Sequence, residues 1–138
     1  MKDLNTADSP ISFRLCKGIY VEPENIAFKD FEEVQNNFLK DLEFMFQNKM
    51  YVGIATHDKF LIEKSYKLIE KYNIPKNMYE FQMLFGVTPE LRQSVLDKGH
   101  VMRVYVPYGK HWFKYSTRRL KENPKIATEI IKALFIRG

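Results

Sequence analysis

The sequence predicts an α/β fold of the (β/α)8-barrel (TIM-barrel) type, present as four successive βα units in one domain spanning residues 1–138. Two observations predict it. The hydrophobic period switches repeatedly between two and 3.6 along the chain, so strand-like and helix-like stretches alternate. The strand-like stretches also gather their polar side chains on one face or at one end, as barrel strands do where their C-terminal ends build a site. A complete barrel needs roughly 250 residues. Four units make half of one.

The first strand falls within residues 10–20, PISFRLCKGIY, where Phe13 and Leu15 point one way and Arg14, Cys16, Gly18 and Tyr20 the other. After a loop with Pro23, residues 31–48 show a helical stripe of Phe31, Val34, Phe38, Leu42 and Met45. Residues 51–55, YVGIA, form a near-continuous apolar run, as expected of a parallel strand buried on both faces. The turn Thr56-His57-Asp58 opens a second helix with Leu61, Tyr66 and Ile69 as apolar positions. In residues 79–84, Glu80, Gln82 and Leu84 share one strand face, and Phe81 and Met83 the other. Thr88 and Pro89 read as the N-cap and first position of a third helix, which Gly99 ends. Residues 101–107 form the fourth strand, with Arg103 and Tyr105 opposed to Met102, Val104 and Val106. A helix carrying Arg118 and Arg119 follows and stops at Asn123-Pro124. A terminal amphipathic helix then carries Ile126, Ile130, Ile131 and Leu134.

Composition narrows the class. An apolar content of 45% suits a soluble globule, and no stretch approaches the roughly 18 uninterrupted apolar residues of a membrane span. The N-terminus, MKDLNTADSP, does not read as a signal peptide. Cys16 is the sole cysteine, which rules out an internal disulfide and fits a reducing cytosol, so the expected location is cytoplasmic or peripheral to a membrane. The net charge of +5 comes from singly scattered Lys and Arg, which suits anions or an acidic membrane surface. Nucleic-acid binding is not expected, because the aromatic residues follow the apolar stripes instead of interleaving with basic clusters.

Several residues suggest chemistry. The adjacent Arg118 and Arg119 offer planar forks that match a carboxylate or phosphate, with Tyr115 and Glu122 within three or four residues on the same helix. A solvated helix face is the alternative for this pair. Arg14, inward on its strand, reads either as a cation at a site or as half of a salt bridge to a carboxylate. Thr56 and His57 lie at a strand-to-helix turn, which can receive a phosphate or merely cap the helix. Gln82 reads as a site amide or a hydrogen-bonded core amide, and Cys16 as a small buried hydrophobe rather than a reactive thiol. His57, His100 and His111 show no metal-ligand spacing, so no metal is expected.

Four strand-end motifs now stand together: RLCKGIY at 14–20, IATHD at 54–58, FQMLFG at 81–86, and RVYVPYG at 103–109 followed by Arg118-Arg119. In this order and spacing the chain resembles the C-terminal half of the proline dehydrogenase family from about Ser12 to Leu134. The resemblance implies FAD-dependent oxidation of L-proline to Δ1-pyrroline-5-carboxylate on a distorted barrel, with electrons passed to a quinone. It places Arg14 beside flavin N5, as the catalytic cation, and Cys16, Lys17, Gly18, Thr56, His57 and Gln82 at the cofactor. It assigns Arg118 and Arg119 to the proline carboxylate, with Tyr20, Leu84, Tyr105 and Tyr115 as walls around the ring. Ile19 stands where the family usually has a small residue, and Val21 where some members carry an aromatic one. The family's N-terminal half, which supplies a lysine and an aspartate to the substrate site, has no counterpart here. A complementary N-terminal half-barrel chain or a homo-oligomer is therefore the expected partner. The competing expectation is an inactive or split fragment.

Overall fold

Strands of four to six residues alternate with amphipathic helices, and each junction has a local cause. The computed structural model describes residues 10–18, 22–106, 108–110 and 117. Within them run β1 (Ser12–Leu15), α1 (Phe31–Gln47), β2 (Tyr51–Ala55), α2 (Lys59–Lys71), β3 (Tyr79–Leu84), α3 (Pro89–Asp97) and β4 (Met102–Tyr105). Asp30 starts α1: its carboxylate accepts from the backbone N–H groups of Glu32 and Glu33 at 2.9 and 3.0 Å. Those two acids also complement the positive end of the helix dipole. Asp58 caps α2 in the same way, accepting from Phe60 N at 3.0 Å. Pro89 opens α3, where a missing N–H costs nothing, and Gly99 follows its end at φ +73°.

The four strands form one parallel sheet in the order β1-β2-β3-β4. Its register sets Arg14 beside Gly53, Gly53 beside Glu80, Gln82 beside Arg103, and Leu84 beside Tyr105. Alternation then puts Leu15, Val52, Ile54, Tyr79, Phe81 and Met83 on the opposite face, where they pack with Phe38, Leu42 and Phe46 of α1, Leu61, Ile62 and Ile69 of α2, and Val95 of α3. This is the core. The other face is free of helices among the described residues and carries the charged and polar side chains. No described helix is long and apolar enough to cross a membrane.

The structure corrects four sequence expectations. The α1 stripe packs as expected at Phe38, Leu42 and Met45, with Gln35 and Phe46 buried beside it, but not at Phe31. Phe31 is exposed and lies under the Lys17 ammonium, 4.9 Å from the ring centroid. Strand pairing in β1 ends at Leu15, and Cys16 is exposed instead of buried. Among the described residues, strand β2 is covered by helices on one face only, with Tyr51 and Ala55 half-buried on the other. There Gly53 is covered by the Gln82 side chain instead of by a second helical layer. Thr88 occupies the N-cap position in a left-handed conformation, φ 43°, and its buried hydroxyl caps nothing.

Candidate active site

Long side chains from the outer strands converge over the polar face. Neighbouring strands lie about 4.8 Å apart, so three spacings would hold β1 and β4 about 14 Å apart in a flat sheet. Nevertheless the Arg14 guanidinium of β1 stacks on the Tyr105 ring of β4 at 4.6 Å and donates to its hydroxyl. A Cβ placed on Gly53 would lie 2.3 Å from Gln82 Nε2, so the Gln82 amide occupies the room that the missing side chain leaves.

Gln82 is buried, donating to Glu80 Oε1 at 2.7 Å and accepting from the Tyr105 hydroxyl at 3.3 Å. Arg103 grips Glu80 with both arms of its fork, Nε to Oε1 at 2.5 Å and Nη2 to Oε2 at 3.0 Å. Burial would push the Glu80 carboxyl up, but hydrogen bonds from Arg103 and Gln82 outweigh it and hold the pKa below the usual value. Arg14 has no carboxylate partner among the described residues.

A second cluster sits where β1 and β2 end. Asp58 receives Lys17 Nζ at 2.8 Å and Gln35 Nε2 at 2.7 Å, while its backbone N–H donates to Thr56 Oγ1 at 3.1 Å. Burial opposes ionisation of Asp58, yet the hydrogen bonds from Lys17 and Gln35 prevail and lower its pKa. His57 Nε2 accepts the backbone N–H of Leu84 at 3.0 Å, tying this turn to the end of β3. Burial lowers the His57 pKa, so the ring is neutral at pH 7 with its proton on Nδ1. The turn therefore caps α2 and still presents a cation and a ring N–H at the same end of the sheet.

The chain as a whole is similar to known proteins. A family model described as proline dehydrogenase matches residues 2–131. The chain belongs to the proline dehydrogenase family. It is 40% identical over 124 residues to proline dehydrogenase 2 of Bacillus subtilis, covering 89% of this chain and 41% of that protein. Over 123 residues it is 32% identical to the proline dehydrogenase of Deinococcus radiodurans, covering 89% of this chain and 40% of that protein. The fold resembles the crystal structure of proline utilization A (PutA) from Bdellovibrio bacteriovorus inactivated by N-propargylglycine, with TM-score 0.73 and 28% identity over 82% of this chain and 13% of that one. The chain thus spans about two-fifths of the length of its curated proline dehydrogenase relatives.

Of the site residues expected from the sequence, the structure brings together Arg14, Gln82 and Tyr105. Lys17, Thr56 and His57 form the neighbouring cluster, and Leu84 joins the two through His57. Cys16 and Gly18 follow β1, with Gly18 at φ 81°. Tyr20, Ile19, Val21, Tyr115, Arg118, Arg119 and Glu122 lie outside the described residues, as does the terminal helix. Sequence reasoning missed Asp58, Gln35, Gly53 and the Glu80–Arg103 pair as parts of the site. Each had a signal: an aspartate opening a helix, a lone amide near an apolar stripe, a glycine inside a strand, and opposite charges on neighbouring inward faces.

Proposed function

We propose that this chain forms the C-terminal half of an FAD-dependent proline dehydrogenase barrel, working with the remainder of that barrel to oxidise L-proline to Δ1-pyrroline-5-carboxylate. The observation that carries this reading is the meeting of Arg14, Gln82 and Tyr105 on the sheet face that is free of helices among the described residues. Edges β1 and β4 are the natural joining lines for the complementary units, because parallel edge strands present unpaired backbone groups.

The donor set fits a flavin nucleotide. Arg14 contributes a cation not cancelled by any described carboxylate. The His57 N–H and the backbone at the start of α2 offer donors suited to a diphosphate, with Lys17 beside them in its ion pair with Asp58. Cys16, Gly18, Thr56 and Gln82 complete the residues assigned to the cofactor. When bound, FAD supplies the hydride acceptor. Arg14 opposes the negative charge that develops during oxidation. The neutral His57 ring keeps Leu84 and the α2 turn in register. Arg118 and Arg119 grip the proline carboxylate, while Tyr20, Leu84, Tyr105 and Tyr115 close around its small apolar ring. Electrons leave to a quinone, which places the protein in the cytoplasm or at a membrane surface.

The carboxylate grip is testable in the assembled enzyme. Arg118→Met and Arg119→Met should each raise the KM for proline, with about 2–5 kcal/mol lost from binding, while FAD content stays unchanged. Unaltered kinetics in both variants would remove the pair from the substrate site.

A further inference from the structure

The polar face holds a chain of hydrogen bonds with one permitted direction. Arg103 can only donate, and the ionised Glu80 can only accept. Gln82 must therefore turn its NH2 toward Glu80, which it does at 2.7 Å, and its carbonyl toward Tyr105. The Tyr105 proton is thereby committed to Gln82, and the phenol oxygen is left to accept from Arg14. Water has little access to the inner part of this chain, because Glu80 is 5% exposed and Gln82 7%, while the Arg14–Tyr105 end is exposed. Gly53 adds a steric limit, since the amide fills the space beside it.

We infer that Glu80 is a positioning residue for the reaction: its negative charge sets the orientation of Gln82 and Tyr105, and so holds Arg14 against the Tyr105 ring. This rests on the proposed roles of Arg14 and Tyr105. Without an anion at position 80, the Gln82 amide is free to turn over and offer its NH2 to Tyr105. The phenol proton would then point at the guanidinium, donor against donor, and Arg14 would leave the ring. Arg103 keeps Glu80 ionised. Because Arg103 is itself 57% exposed, water can solvate it when its partner is neutralised, so Glu80→Gln need not unfold the sheet.

The test uses the assembled enzyme with three forms: wild type, Glu80→Gln, and the exchange variant Glu80→Gln with Gln82→Glu. Glu80→Gln should lower kcat by about 10- to 100-fold, as expected when a reacting-centre group is displaced. The exchange variant should recover most of this loss, because a carboxylate at position 82 again accepts from Tyr105. Position 82 also lies beside Arg103 in the register, so hydrogen exchange of the Gln82 amide, not the recovery, separates an orienting charge from a merely structural ion pair. Independently of activity, the Gln82 side-chain NH2 should be protected from hydrogen exchange in wild type and lose that protection in Glu80→Gln. Unchanged protection, an unchanged kcat, or an exchange variant no better than the single one would overturn the inference. If wild type itself does not oxidise proline, the functional reading fails, and the amide exchange still decides the orientation.

Discussion

Arg14→Met should reduce turnover of the assembled enzyme by about 10²–10³-fold, the usual effect of removing one charge-stabilising donor from a reaction centre. The expectation follows from what Arg14 lacks. Its partner is a phenol from β4, and no described carboxylate neutralises it, so its charge remains available to the reacting groups. Removing that charge also favours the oxidised cofactor, so the flavin reduction potential should shift downward. Potentiometry and rapid-mixing kinetics on matched samples would read both effects. An unaltered potential with normal turnover would make Arg14 a structural residue.

Phe81→Ala should destabilise the fold by about 3–5 kcal/mol, the range for deleting a buried aromatic ring. Phe81 is fully buried on the helix-facing side of β3. It makes edge-on contacts with Tyr66 at 5.5 Å, Tyr79 at 6.0 Å and His100 at 5.4 Å. Tyr79 in turn holds His100 Nδ1 through its hydroxyl at 2.8 Å, and the His100 ring stacks on Tyr66 at 4.6 Å. A cavity here loosens the strand that carries Glu80 and Gln82 on its reverse side. With total stability of only about 5–15 kcal/mol for a domain, such a loss is large. Denaturant unfolding would measure it, and a change below about 1 kcal/mol would contradict the assignment of Phe81 to the centre of the core.

The strand faces were the most legible feature. Alternation in residues 79–84 and 101–107 separated Glu80, Gln82, Leu84, Arg103 and Tyr105 from the core residues, and the parallel register keeps them together. Period placed the α1 stripe at Phe38, Leu42 and Met45 but not its polar member, because it favours apolar residues while the tertiary structure buries Gln35 to reach Asp58. The exposure of Cys16 was hidden for a related reason: alternation continues through Cys16 in the sequence, whereas strand pairing stops one residue earlier. The Arg14–Tyr105 contact, 91 residues apart, could not be read from local pattern. It depends on the parallel order of four strands, which puts both long side chains on one face. Resemblance to the family joined these residues where periodicity could not.

The most direct test of the account is the flavin spectrum of the chain assembled with the remainder of the barrel, recorded without oxygen before and after adding proline. Bound flavin absorbs near ~450 nm, and that band reports the cofactor itself. The account predicts that the assembly retains FAD, that L-proline bleaches the band, and that Arg14→Met slows the bleaching while leaving FAD content intact. A well-folded assembly that holds no FAD, or one whose flavin stays oxidised in excess L-proline, would contradict it.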